Sequence, residues 1–421
     1  ATAAGERLPL VALAAPTGKA AARLAAAVHS EATGLDVPEA VRAKLLELPA
    51  VTLHRLLGWR PGSSSRFGHH RRRRLPHDVV IVDETSMVSL SLMARVIEAL
   101  RDDARLVLVG DPGQLASIEA GAVLGDIVGP AADAPQRSPA VAARLSGVTG
   151  AAVPSRARSH GPSLGDGIVV LDRGHRFGAG IAELAAAIHS GDADTVLTVL
   201  RDPPAGVRWI EIDIAIESEP AAVREAMLSS VEAMVTAARE GRAAEALEAL
   251  GGFRLLCAHR RGPYGVSTWT GRAEGWLESE LSSPSTGERW YPGRPLLVTE
   301  NDYELGLSNG DTGVVVRVGD RVRAAFERAG AVIEYSPTRL GAVDTVYAMT
   351  IHKSQGSQFH TAAVLLPDPE SRILTRELLY TAVTRARQEL ILVGTAEAVR
   401  SAVLRPVARA SGLGWRLWEQ P

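Results

Sequence analysis

Asp83 and Glu84 stand side by side directly after Val79-Val80-Ile81-Val82, an apolar run that ends abruptly in two carboxylates. A run of β-branched residues without alternation suits a strand buried on both faces of a parallel sheet. Such a strand delivers both acids to the carboxyl end of the sheet, where ligands of these folds bind. One carboxylate there can hold Mg²⁺ while a second positions or deprotonates an attacking water. The same residues also suit a core strand followed by a solvated acidic turn.

Other stretches supply polar groups in the same kind of place. Leu106–Val109 reads as a second buried strand and ends in Gly110-Asp111-Pro112-Gly113-Gln114, so two strands would finish at one pocket. Leu8–Ala15 reads as a strand leading into Pro16-Thr17-Gly18-Lys19 and an alanine-rich helix from Ala20 to about His29. That turn is not a full phosphate-binding loop. Leu13 stands where the pattern needs its early glycine, and Ala20 follows Lys19 where a Ser or Thr would bind Mg²⁺. Ile351-His352-Lys353-Ser354-Gln355-Gly356 forms another polar, glycine-ended loop after a strand. A helix over Glu377–Arg387 would place Glu377, Thr381, Thr384, Arg385 and Gln388 on one face. That face is either solvated or aims a guanidinium at a phosphate.

The elements that must position these groups read as two α/β units. After the first strand come the short helical stretch Val51–Gly58, the strand ending at Asp83, a helix near Leu90–Leu100 and the strand Leu106–Val109. Gly129–Gly167 shifts to Ala, Pro, Ser, Arg and Gly and reads in part as a mobile surface connection. The second unit has helical stretches at Ile181–His189 and Pro220–Leu250, the strand Phe253–Ala258, and further strands at Thr345–Thr350, Ala362–Leu366 and Leu390–Val393. Between them, Pro295–Thr299, Thr312–Val318, Arg321–Phe326 and Ala331–Tyr335 predict a small β-barrel or meander, with a turn at Asn309-Gly310-Asp311.

Bulk composition bounds the partners. The chain has 421 residues, 46 basic against 48 acidic, so any nucleic-acid contact must be local. The dense basic stretch is Arg66–His77, with Arg66, His69, His70, Arg71, Arg72, Arg73, Arg74 and His77 and no acid. It reads as a solvated loop or as a DNA-meeting hairpin. The single cysteine, Cys257, reads as a buried small apolar side chain. No apolar stretch is long enough to span a bilayer and Ala1–Pro9 lacks signal-peptide order, so the expectation is a cytoplasmic protein without a membrane partner.

The motifs taken together resemble the RecD family, the alpha subunit of exodeoxyribonuclease V and a superfamily 1 helicase motor that moves 5′ to 3′. The matching segments, in order, are Ala14–Leu24, Val82–Met87, Gly110–Ile127, Arg176-Phe177, Asn309–Val314, Ala348–Gln358 and Arg376–Arg387. They cover the chain from Leu8 to about Gly394. The resemblance implies an α/β fold of two RecA-like P-loop NTPase domains, residues 1–170 and 171–421. A basic pin-like insert lies at about 58–77, and an SH3-like β insert at 295–342 lies within the second domain. It implies ATP and Mg²⁺ as cofactors. Asp83 would bind Mg²⁺, Glu84 would activate water, Gln114 would sense the γ-phosphate, and Arg176 and Arg385 would neutralise transition-state charge, with Gly356 also at the nucleotide. Thr17, Lys19, Thr52, His54, Thr350, His352, Lys353 and Ser354 would face single-stranded DNA. RecB-like and RecC-like subunits, and single-stranded and duplex-end DNA, are the implied partners.

The family places a glycine-rich Walker A loop upstream of the strand that begins here at Leu8, and an N-terminal domain before that. The expectation is therefore a fragment of a longer chain, inactive by itself as an ATPase. Two other functions stay open: a non-catalytic subunit that guides DNA, and a stand-alone helicase of the related single-subunit type. No nuclease site is expected here, and any cutting is expected from a partner.

Overall fold

A computed structural model of the chain describes residues 8–59, 67–117, 121–132, 137–155, 164–171, 177–216, 220–280, 289–302, 304–328, 330–407 and 412–418. They form two compact units, one from Ala1–Pro16, Leu48–His175 and Ala408–Pro421, the other from Thr17–Glu47 and Arg176–Val407.

The first unit is built on four strands, β1 (Val11–Ala15), β2 (Ala50–Thr52), β3 (Val79–Val82) and β4 (Arg105–Leu108), in the order β2-β1-β3-β4. Every pairing is parallel, as the unalternated apolar runs predict. Helix Leu90–Ala99 starts at Ser89, whose hydroxyl accepts from Leu92 N, and it buries Met93, Val96 and Ala99. These pack with Leu53, Leu57, Leu75, Val80 and Val82 into one core. In the basic insert Trp59 bridges Phe67 antiparallel, His70 and Arg73 close a turn, and Leu75 is drawn into that core. Arg66 lies outside the described residues. Within Gly129–Gly167 a capped helix forms over Pro139–Thr149, opened by Ser138 and closed by Gly150 at φ 68°.

The second unit has a five-stranded parallel sheet and a separate antiparallel one. Its strands in chain order are β5 (Val207–Ile210), β6 (Phe253–Cys257), β7 (Pro295–Val298), β8 (Thr312–Val318), β9 (Arg321–Arg328), β10 (Ala331–Tyr335), β11 (Val343–Thr345), β12 (Ala348–Thr350), β13 (Phe359–Leu365) and β14 (Ala386–Val393). The parallel sheet runs β12-β6-β13-β14-β5. All five residues of β6 are buried, Cys257 among them. The antiparallel sheet runs β10-β9-β8-β7-β11, so of the small barrel or meander expected from these short runs the open sheet is what forms, and its core includes Leu296, Val298, Val315 and Phe326.

Three sequence readings are corrected. Thr345–Thr350 is not one strand: β11 ends at Thr345 in the antiparallel sheet and β12 starts at Ala348 in the parallel one. Pro220–Leu250 is two helices, Ala221–Arg239 and Ala243–Leu250, parted at Gly241, whose φ of 75° suits glycine. The helix expected over Glu377–Arg387 stops at Val383 and β14 begins at Ala386, so Gln388 is on a strand. Pairing of Phe359 with Ala386 pulls the chain into the sheet. Arg385 Nε donates to Thr381 O at 3.0 Å, satisfying a carbonyl near the helix end, and Thr384 Oγ1 adds a second bond to Tyr380 O at 2.9 Å.

Candidate functional site

In the first unit, the loops at the carboxyl ends of β3 and β4 are tied into one edge. Asp83 N donates to Ala14 O at 2.9 Å, so the residue leaves β3 still bonded to β1. Its carboxylate Oδ1 accepts the Glu84 amide at 2.8 Å. Glu84 lies at φ 50° and ψ 41°, the one non-glycine residue with positive φ among the described residues. A side chain held there costs energy that only its surroundings can offset, and such positions cluster at functional sites. Thr85 fixes the turn, its N donating to Val109 O and its Oγ1 to Val82 O, both at 3.0 Å. Gly110 permits the close approach of the β4 loop, because a Cβ there would lie 3.1 Å from Thr85 N. Ser117 N then donates to Ser86 O at 3.1 Å. Asp111 shapes the second loop, accepting Gly113 N at 2.9 Å and Gln114 Nε2 at 3.1 Å. The structure thus brings Asp83, Glu84 and the Asp111–Gln114 loop to one sheet edge.

Thr52 and His54 belong to the same unit. Thr52 caps the short helix Leu53–Leu56 by accepting Arg55 N at 3.2 Å, which leaves His54 exposed on it.

The second unit gathers three of the other motifs. Thr17 caps helix Gly18–Gly34 through Ala20 N. Gly18 approaches Ser308 so closely that a Cβ would sit 2.5 Å from its Oγ. Lys19 Nζ donates to Gly310 O at 3.4 Å. Burial first, then Arg23 and Arg254, push the Lys19 ammonium down to about 8, against the opposing pull of Asp311. Asp311 is raised, chiefly by burial, although it accepts Ser308 N at 2.7 Å. Arg23 donates to Gly356 O. Sequence reading passed over Arg23, although it lies four residues from Lys19 and hence on the same helix face.

The loop after β12 is a tight, internally bonded turn. Thr350 Oγ1 accepts Lys353 N at 3.2 Å and Ser354 Oγ donates to Ile351 O at 2.7 Å. Thr350 and Ser354 are buried, His352 is half-buried and Lys353 is exposed. Gly356 turns the chain at φ 68°. Arg385, only 4% exposed, donates to Ser357 O at 3.1 Å as well as to Thr381 O, so it holds this loop against the end of helix Arg376–Val383. Of the two alternatives that the sequence leaves for Arg385, a solvated face or a guanidinium aimed at a phosphate, the burial removes the first. Arg176 lies outside the described residues.

Parallel sheets with acidic and polar loops at their carboxyl edges define an α/β protein with its polar residues gathered where such sheets bind ligands. Residues 1–138 match the family model described as an AAA domain, and residues 345–393 match the UvrD-like helicase C-terminal domain. The RecBCD enzyme subunit RecD of Mycolicibacterium smegmatis is 49% identical over 415 residues, covering 98% of this chain and 67% of that protein. The Mycobacterium tuberculosis H37Rv protein of the same name is 48% identical, with 98% and 65% covered. That of Haemophilus influenzae is 33% identical, with 96% and 64% covered. The chain belongs to the RecD family and spans about two thirds of the length of these relatives. Among solved structures, the Pif1 helicase from Candida albicans has a TM-score of 0.43 at 12% identity over 96% of this chain and 87% of that one, too loose a likeness to carry an argument. Among the described residues, no helix is long and apolar enough to cross a membrane.

Proposed function

We propose that this chain is the motor region of an ATP-dependent 5′ to 3′ DNA helicase subunit that works with RecB-like and RecC-like subunits on double-strand DNA ends. The observation that carries the reading is the bonded pair at the end of β3, Asp83 anchored by its own neighbour's amide and Glu84 held in the left-handed region. Membership of a family whose relatives are named RecBCD enzyme subunits supports the choice of partners and DNA substrate. A cytoplasmic location accords with that role.

In this reading Asp83 holds Mg²⁺ and Glu84 orients and deprotonates the attacking water. A backbone-anchored carboxylate fits Mg²⁺, which takes one or two protein carboxylates and completes its shell with phosphates and water. Bound Mg²⁺ would supply charge neutralisation on the phosphates. Gln114 senses the terminal phosphate, Arg176 and Arg385 meet developing negative charge, and Gly356 lies at the nucleotide. Lys19, Lys353 and His352 contact the DNA backbone, with Thr17, Thr52, His54, Thr350 and Ser354 alongside. The residue ranges 1–170 and 171–421 as two RecA-like domains, with an SH3-like insert at 295–342, belong to the same proposal.

Strand-displacement assays with the complete gene product test it. A duplex with a 5′ single-stranded tail should be unwound in the presence of ATP, and a 3′-tailed duplex should not. Unwinding from the 3′ tail alone contradicts the stated polarity.

A further inference from the structure

The chain is poor in aromatic residues, at 4%, yet two of them meet an exposed histidine at the root of the basic insert. The His54 ring lies 6.5 Å from Trp59, edge to face, and 6.0 Å from Phe67, tilted. Trp59 and Phe67 are paired antiparallel, and Gly68 N donates to Gly58 O at 2.9 Å, so the three rings are mounted on a bonded stem. Trp59 N also donates to His54 O at 2.8 Å, tying the stem to the helix that carries His54. Phe67 is partly buried against the core of the first unit, whereas His54 is exposed and Trp59 is 38% exposed. A few residues further along the insert, Arg71, Arg72 and Arg73 are exposed, whereas Arg74 turns back to pair with Asp102 at 3.0 Å.

We infer that His54, Trp59 and Phe67 form a stacking platform for an unpaired base of single-stranded DNA, with Arg71, Arg72 and Arg73 contacting the flanking phosphates. Exposed aromatic faces beside a basic track are what sequence-tolerant binding of single strands requires, because every base has a π-face and every nucleotide a phosphate. Arg71, Arg72 and Arg73 are exposed and suit phosphate groups, so charge complementarity favours a nucleic acid as the occupant. The inference rests on the proposed DNA-motor role and adds the contact that grips bases rather than backbone.

The test is fluorescence anisotropy with the complete gene product and two labelled oligonucleotides of equal length, one with bases and one fully abasic. Trp59→Ala should weaken binding of the base-bearing strand about 10-fold, within the range for loss of one aromatic stack, and leave the abasic strand within 2-fold. Trp59→Phe should restore most of the loss, which separates stacking from a folding defect. Arg72→Ala should weaken both strands alike and lessen the salt dependence. Equal loss on both strands in Trp59→Ala, or no loss on either, overturns the platform. Absence of binding by the wild-type protein instead overturns the DNA-motor reading itself.

Discussion

The amide of Glu84 donates to the carboxylate of Asp83 at 2.8 Å, and that bond closes a turn in which Glu84 is forced to φ 50°. Glycine would occupy the left-handed region without penalty, whereas glutamate costs on the order of 1 kcal/mol there. Glu84→Gly is therefore expected to raise the unfolding free energy by about 1 kcal/mol while removing ATP turnover. Urea denaturation beside a turnover assay measures both. Lower stability in the glycine variant would show that the carboxylate, not the backbone, dominates the turn.

Arg385 is expected to matter for stability as well as chemistry. Its guanidinium bonds the oxygens of Thr381 and Ser357 within the second unit, and Arg385→Ala removes both bonds, leaving Thr381 O with Thr384 Oγ1 at 3.1 Å and Ser357 O without its guanidinium donor. The expected loss is about 2–4 kcal/mol, with Arg385→Lys intermediate because one ammonium cannot reproduce the fork. Chemical denaturation distinguishes this from a purely catalytic arginine, whose removal leaves the midpoint unchanged.

Lys19 sets a pH dependence whose sign follows from its lowered value of about 8 against an ordinary 10.5. Between those values the unfolded chain keeps a proton that the folded chain has released, so stability rises with pH across that window. Below about pH 8 the burden of the buried ammonium is complete, on the order of 3 kcal/mol. Lys19→Met should therefore raise the melting temperature at pH 7, with the gain shrinking towards pH 10. A gain that grows with pH would contradict the assignment. DNA phosphate near Lys19 would restore the ammonium, so single-strand affinity should fall above pH 8 and Lys19→Arg should flatten that fall.

Gly18 tests the junction between helix Gly18–Gly34 and the Ser308–Asp311 turn. An alanine Cβ would meet Ser308 Oγ at 2.5 Å and Cβ at 2.7 Å, too close for rotation of the hydroxyl to relieve. Although alanine is the better helix former, Gly18→Ala should destabilise by about 1–3 kcal/mol. Adding Ser308→Gly should recover most of it, measured as a double-mutant cycle.

Sequence pattern exposed the parts of the fold where chemistry follows an unalternated apolar run. Val79–Val82 and Leu106–Val109 announced both strands and the edge where Asp83, Glu84 and Gln114 gather. Helix starts were only partly legible: Thr17, Ser89 and Ser138 cap three helices in the structure, but the helix after Ser138 lies in a stretch whose Ala, Pro, Ser, Arg and Gly composition reads as a surface connection. Helical spacing left the setting of Arg385 open, because polar residues three and four apart look solvated unless buried carbonyls are known to await them. Long-range closeness was equally hidden. Lys19 meets Gly310 across 291 positions, and only the folded chain shows that they share a site. Strand β5 gave no clean signal, since Arg208 and Trp209 interrupt its apolar run.

The most direct measurement is steady-state ATP turnover by the complete gene product, with and without single-stranded DNA, in the wild type and in Glu84→Gln. DNA should stimulate the wild-type rate, and the glutamine variant should lose at least about 100-fold in turnover while still binding nucleotide. Undiminished, DNA-stimulated turnover in Glu84→Gln would contradict the central assignment of the carboxylate pair at the end of β3.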